Sequence, residues 1–269
     1  CRTGVVNRLT DHYDEIIKDA SCRLATYALT GDADFTGDDI HYASDHDFVG
    51  IEFSIHGPLD GRVRVGMPGK FNADNALAAL AVCSLALSGG SGELDGNTKQ
   101  AILSSLENVR VDGRMEIAYV SKKCSVIVDY AHNAVSMESL LTTLRDYHPK
   151  RLVCVFGCGG NRAKDRRYSM GEIGGKMADF CIITADNPRF EKNEDIIKDI
   201  EVGLAKTDGK YIVIPDRREA IFSAIHNAEE GDMIAIIGKG HEDYQEIRGV
   251  RYPFLDRQVV LETVEKLGL

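Results

Sequence analysis

A chain of 269 residues has room for one large or two ordinary domains, and 43% apolar with 28% charged residues is the make-up of a globular protein. Its formal net charge of −10 argues against partners held by bulk positive charge, so neither nucleic acid nor a membrane surface is expected. No run approaches the roughly 20 apolar residues that cross a bilayer and no basic-then-apolar leader opens the sequence, so a cytoplasmic location is expected.

Residues 1–7 read as a strand entered in mid-stride, which suggests a domain whose first part lies upstream. Seven cysteines, at 1, 22, 83, 124, 154, 158 and 181, form no C-x-x-C pair and fall mostly in apolar segments, as free buried thiols do in a reducing compartment. Up to residue 70 short β-like runs (Thr3–Asn7, Arg23–Leu29, Phe35–Ala43, Val49–Ile55, Gly61–Met67) alternate with turn clusters, and a helix is expected near His12–Asp19. Asn72–Leu87 is apolar on nearly every side and predicts a buried helix with Asn72 as its N-cap. A second helix is expected over Asn97–Glu107, and the domain boundary over Asn108–Asp112.

The pattern then changes to βα units. Strands are expected at Ser125–Tyr130, Arg151–Phe156, Phe180–Thr184, Tyr211–Ile214 and Met233–Ile237. Met137, Leu140, Leu141 and Leu144 follow helical spacing, as do Ile196, Ile197, Ile200 and Leu204. A hairpin around Arg248-Gly249 and a helix over Arg257–Leu267 close the chain. Alternating β and α implies a mostly parallel sheet covered on both faces, an α/β fold behind a β-rich first segment.

Polar clusters follow all five of these strands: Asp129–His132, Gly157–Arg162, Asp186–Arg189, Asp216–Arg218 and Gly238–Glu242. The carboxyl ends of parallel strands share one edge, so five such clusters there predict one ligand crevice. Within Asp186–Arg189, Pro188 fixes its own φ and holds Asn187 out of the helical region. Asp186 suits an ammonium and Arg189 a carboxylate. The competing reading makes Asp186 a helix cap and leaves Arg189 solvated. The turn Gly157–Gly160 admits close backbone approach, but a dinucleotide fingerprint needs glycine where Arg162 stands. His132 and His241 lack partners at zinc-ligand spacing, so no metal site is expected in this chain.

Six motifs in order carry a family resemblance: Gly69–Asn75, Gly113–Glu116, Val128–His132, Phe156–Arg162, Asp186–Arg189 and Gly238–Gln245. The chain resembles the Mur ligases, ATP-dependent amide-forming enzymes of peptidoglycan precursor synthesis. The resemblance implies that residues 1–110 are the carboxyl-terminal part of the central ATP-binding domain and that 111–269 are the Rossmann-like carboxyl-terminal domain. It implies nucleotide contacts from Asn72, Asn75, Arg114 and Asp129. For the incoming amino acid it implies a pocket of Arg162, Asp186, Asn187, Pro188, Arg189, Gly238 and Glu242. The D-N-P-R form is similar to that of members accepting meso-diaminopimelate, and lysine-adding members usually lack that arginine.

The implied reaction uses ATP and Mg²⁺ to join meso-diaminopimelate to UDP-MurNAc-L-Ala-D-Glu through an acyl phosphate; oligomeric state is left open. No G-x-x-x-x-G-K-[ST] loop occurs in the sequence, and the family's Mg²⁺ segment and UDP-sugar domain have no counterpart, so this chain alone is expected not to catalyse. Asn133-Ala134 also stands where Thr-Pro is common. Two alternatives stay open: a lysine- or glutamate-adding relative, and a non-catalytic paralogue that binds an amino acid or a partner protein.

Overall fold

The computed structural model describes residues 2–45 and 47–269; the sequence readings on Cys1 lie outside these. Its contacts form two units, residues 2–44 with 49–109, and residues 45, 47 and 48 with 110–269.

The first unit is a five-stranded sheet in chain order: β1 (Thr3–Asn7), β2 (Arg23–Ala28), β3 (Phe35–Ser44), β4 (Val49–His56) and β5 (Gly61–Val65). The pairs β1–β2 and β2–β3 are parallel, and β3–β4–β5 is an antiparallel meander. Period-two alternation buries Ile51, Phe53 and Ile55 on one face of β4. They meet Leu77, Leu80 and Leu85 of α2 (Phe71–Leu87) and Leu103 of α3 (Gly96–Ser105), which a short 3₁₀ turn follows at Leu106–Asn108. Between β1 and β2 lies α1 (Tyr13–Ile17).

Two expectations about α2 are corrected. Only one face of it meets the sheet, through Ala73, Leu77, Leu80, Ala81 and Leu85, while Phe71, Val82 and Leu87 are at least half exposed. The N-cap position is Lys70, and Asn72 lies inside the first turn, its amide Nδ2 donating to the Pro68 carbonyl at 2.7 Å.

In the second unit a six-stranded sheet runs β10 (Tyr211–Val213), β9 (Phe180–Ile183), β8 (Arg151–Phe156), β11 (Asp232–Ile237), β7 (Cys124–Asp129), β6 (Glu116–Val120). All its pairings are parallel except β6–β7, and β6 is the strand the sequence reading missed. Strands β7 and β11 are buried along their whole length, the continuous apolar pattern of a sheet covered on both sides. On one face α7 (Arg217–His226) and α8 (Asp256–Leu267) pack Ile221, Ile225, Val259 and Val260 against Val126, Val153, Ile234 and Ile236. On the other lie α4 (Ala134–Arg145), α5 (Asp165–Met177) and α6 (Asn193–Leu204), with Gly174 set against Met137 and Phe156. The helical spacing read from the sequence is the buried face of α4 and of α6. A hairpin, β12 (Tyr244–Ile247) with β13 (Val250–Pro253), leaves the sheet after β11.

Four cysteines of this unit, 124, 154, 158 and 181, are buried thiols, and burial pushes Cys158 and Cys181 up to about 12. No helix among the described residues is long and apolar enough to cross a membrane.

Candidate functional site

Parallel pairing puts the carboxyl ends of β7 to β11 on one sheet edge. After β9 the chain turns through Asp186–Arg189, and Arg189 adopts a left-handed backbone with φ 51°. That turn is stitched to the hairpin: Arg189 N donates to Glu246 O at 3.0 Å, and Arg248 N donates back to Arg189 O at 2.6 Å. Asn187 is the node. Its Oδ1 accepts from Lys239 Nζ at 3.2 Å and from Glu246 N at 2.9 Å, while its Nδ2 donates to Glu242 Oε2 at 2.8 Å.

Asp186 is buried in a different state. Its backbone carbonyl accepts from Gln245 Nε2 at 2.8 Å, but its Oδ1 has no hydrogen-bond partner, Lys239 Nζ being 4.0 Å away. Burial pushes this carboxyl up from its ordinary range, and Arg217 and Lys239 pull it the other way. The helix-cap alternative is excluded: α6 starts at Asn193 behind Lys192, and no side chain caps it. The solvated-Arg189 alternative is corrected as well. Its Nη1 donates to Gly160 O at 2.7 Å, and its Nε lies 3.6 Å from Glu246 Oε2.

The opposing wall is the loop after β8. A Cβ on Gly160 would stand 2.0 Å from Pro188 O, and one on Gly157 would stand 2.2 Å from Thr184 O. These glycines therefore serve the contact between two loops, and Gly157 and Gly159 also line the cavity. A Cβ built on Gly159 would lie 3.1 Å from Arg189 Nη1 and 4.0 Å from Arg162 Cγ, so both arginines flank it. Beneath, the fully buried Arg167 holds Glu191 at 2.7 Å and Asp199 at 2.8 Å, and Glu191 also accepts from Asn161 N.

Together these loops line a cavity of about 240 Å³. It gathers Arg162, Asp186, Asn187, Arg189, Gly238 and Glu242, and adds Tyr130, His132, Cys158 and Arg166, which are outside the set the resemblance implies for the amino acid. Pro188 is not on its surface; its role is to pack against Gly160. The Asp186 carboxylate lies beside Gly238, its Oδ2 3.3 Å from where a Cβ would stand, and the Arg189 guanidinium lies beside Gly159. That arrangement is complementary to a zwitterion.

The fourth cluster stays apart. Asp216 caps α7 by accepting from Glu219 N at 2.9 Å, Arg218 pairs with Glu262, and Arg217 turns inward to Asp256. Of the residues expected at the nucleotide, Asp129 spends both carboxylate oxygens on the backbone, accepting from Met115 N and Ala131 N at 2.7 Å each. Burial pushes its pKa up and these bonds oppose that. Glu116 accepts from Gly113 N at 2.9 Å, and Arg114 projects from the loop so held, its guanidinium 5.2 Å from the Tyr130 ring centre. In the first unit Asn75 donates to Asn72 Oδ1 at 3.1 Å and is itself exposed. Lys239, wholly buried among the pocket residues, is a site residue that sequence reasoning missed; it stands within Gly238–Gln245, but nothing in the sequence marks it as buried.

Two family models match the chain, "Mur ligase middle domain" over residues 2–83 and "Mur ligase, glutamate ligase domain" over residues 113–240. A UDP-N-acetylmuramoyl-L-alanyl-D-glutamate–2,6-diaminopimelate ligase of Clostridium acetobutylicum is 40% identical over 97% of this chain and 52% of its own length. The corresponding ligase of Aquifex aeolicus is 39% identical over 97% of this chain and 51% of its own. The chain thus spans about half the length of the curated relatives it matches. A solved structure of a ligase of that same name superposes on all of the chain and 54% of its own, with 32% identity and a TM-score of 0.76. A UDP-N-acetylmuramate-alanine ligase of Thermotoga maritima, 17% identical over 91% of this chain and 48% of its own length with a TM-score of 0.57, shares the fold.

Proposed function

The chain belongs to the Mur ligase family, and from that premise we propose that it carries the amino-acid pocket of a cytoplasmic ligase joining meso-diaminopimelate to UDP-MurNAc-L-Ala-D-Glu. Residues 1–110 are then the carboxyl-terminal part of the ATP-binding domain, and 111–269 the domain that receives the amino acid. The observation that carries the reading is that one cavity holds both the unpartnered Asp186 Oδ1, beside Gly238, and the Arg189 guanidinium, beside Gly159, with Glu242 and Arg162 also lining it. One end of a diamino dicarboxylic acid offers an ammonium to the first group and a carboxylate to the second. Lysine has no carboxylate at its side-chain end, so it would leave Arg189 without a ligand.

ATP, when bound, supplies the phosphoryl group that turns the dipeptide's terminal carboxylate into an acyl phosphate, and Mg²⁺ would neutralise its phosphates. Arg114, held out by the Glu116–Gly113 and Asp129–Met115 bonds, is the cation this chain would offer there, with Tyr130 as an adjoining ring face. Asp129 fits as the residue that shapes this loop, since its oxygens are already occupied. The family resemblance also assigns nucleotide contacts to Asn72 and Asn75. The pocket residues hold the diamino acid so that its free amine attacks the acyl carbon, phosphate leaves with the C–O bond electrons, and the nitrogen gives up a proton. Orientation and charge placement are what the chain contributes to that step.

The test is ligation by the protein that carries this chain, supplied with ATP, UDP-MurNAc-L-Ala-D-Glu and, in turn, meso-diaminopimelate, L-lysine and L-glutamate. Amide formation with the first is expected. Preference for lysine or glutamate, or binding without ligation, would favour the other readings.

A further inference from the structure

We infer that Lys239 is a positioning residue for the ammonium of the incoming amino acid, setting Asn187 and Glu242 from below and countering the charge of Asp186; this rests on the reading of the pocket given above. Lys239 has no exposed surface, so it cannot meet a ligand itself. An ammonium has three donors and no acceptor. The Nζ of Lys239 reaches three acceptors: Asn187 Oδ1, Glu242 Oε2 at 3.3 Å and the Tyr244 carbonyl.

The orientation of the Asn187 amide follows from this. Facing a group that only donates, Asn187 must present oxygen to Lys239, and its NH₂ then has to point at Glu242, as it does. Two donors now end on Glu242 Oε2, leaving Oε1 with no hydrogen bond among the described residues, on a residue that lines the cavity. Asp186 Oδ1 is likewise unpartnered. Two carboxylate oxygens are therefore available to one ammonium. Burying a carboxylate without a hydrogen bond on one oxygen favours its protonated form, and a protonated Asp186 would repay a ligand ammonium far less. Lys239, with Arg217 beyond it, is the nearby positive charge that opposes this. Remove Lys239 and the amide is free to turn over, while Asp186 and Glu242 face each other with less cation between them.

Titration of meso-diaminopimelate into the full chain by calorimetry, from pH 5.5 to 8.5, tests the assignment on wild type, Lys239→Met and Lys239→Gln. The other charged or titratable groups facing Asp186 are Glu242, Arg217, Asp256 and Cys158, and His132 lines the same cavity; all are present in the three proteins, which differ at Lys239 alone. Both variants are expected to bind at least tenfold more weakly at pH 6, with part of the loss recovered by pH 8.5 as Asp186 ionises. Gln, which can still donate to Glu242 without charge, is expected to lose less than Met. Unchanged affinity, or a loss equal at every pH, overturns the positioning role. Failure of both variants to fold while wild type binds assigns the residue to the fold and overturns it too. A wild-type chain that ignores the diamino acid removes the pocket reading itself, a result distinct from any difference between variants.

Discussion

Arg217 closes a two-pronged ion pair on Asp256, Nε to Oδ1 and Nη2 to Oδ2 at 2.7 Å each, with neither side chain reaching solvent. The rest of the guanidinium is used as well, donating to the carbonyls of Ala185 at 3.2 Å and Ile237 at 3.0 Å. Those two carbonyls immediately precede Asp186 and Gly238. The pair therefore ties the ends of β9 and β11 together under the cavity.

Removing one partner strands the other charge in the interior. Arg217→Met and Asp256→Asn are each expected to cost about 3–5 kcal/mol, while replacing both with apolar residues of similar size costs less than the two single losses added. Urea unfolding of the three variants measures this. Strict additivity would mean that the two residues act independently.

Asp186 is held at a cost to the fold. Burial raises its pKa above the unfolded value, so whatever stability its protonated form contributes is present at low pH and lost as pH rises through the folded-state value. Asp186→Asn is therefore expected to raise the melting temperature at pH 7, with the gain shrinking as pH falls towards the ordinary carboxylate range, and to abolish amino-acid binding. A variant less stable than wild type at pH 7 would show that Arg217 and Lys239 more than offset the burial.

Glu191 has the opposite sign. Its bond with Arg167 lowers its pKa, so its contribution is complete above the ordinary carboxylate range and fades as pH falls through the lowered value. Glu191→Gln is expected to cost about 1.5–3 kcal/mol at neutral pH, the worth of a hydrogen bond to a charged group, because Arg167 is buried. Thermal melts of the variant and wild type should converge in acid. Parallel curves at all pH values would remove the ion pair as the cause.

Gly160 leaves no room for a side chain against Pro188 O, so Gly160→Ala must part the two loops that frame the cavity. A loss of about 1–3 kcal/mol is expected from such overpacking, together with weaker amino-acid binding as the Gly160 carbonyl moves from Arg189. Retained affinity in calorimetry would mean that the loops adjust independently.

Periodicity made much of this legible. The i, i+3, i+4, i+7 apolar sets of α4 and α6 and the unbroken apolar runs of β7, β8 and β11 depend on burial by local elements, so they show in sequence. The short strand β6 escaped because its pairing with β7 is bulged between Ile117 and Tyr119, which breaks the alternation. In the cavity, Arg162, Asp186, Asn187, Arg189, Gly238 and Glu242 lie in polar clusters that follow strands, which marked the crevice, while the family resemblance singled them out for the amino acid. Lys239 and Arg217 look in sequence like any surface cations; their burial is decided by Asn187, 52 positions from the first, and by Asp256, 39 from the second. Asn72 misled because an asparagine at the start of a helix resembles a cap until its amide is found on Pro68.

The most direct measurement is the dissociation constant of the chain for meso-diaminopimelate and for L-lysine, in wild type and in Arg189→Ala. Wild type is expected to favour the diamino dicarboxylic acid, and Arg189→Ala to weaken it by about 1.5–3 kcal/mol while leaving lysine almost unaffected, so that the preference narrows. Equal affinities in wild type, or a preference that survives the loss of Arg189, would contradict a pocket in which that guanidinium reads the second carboxylate.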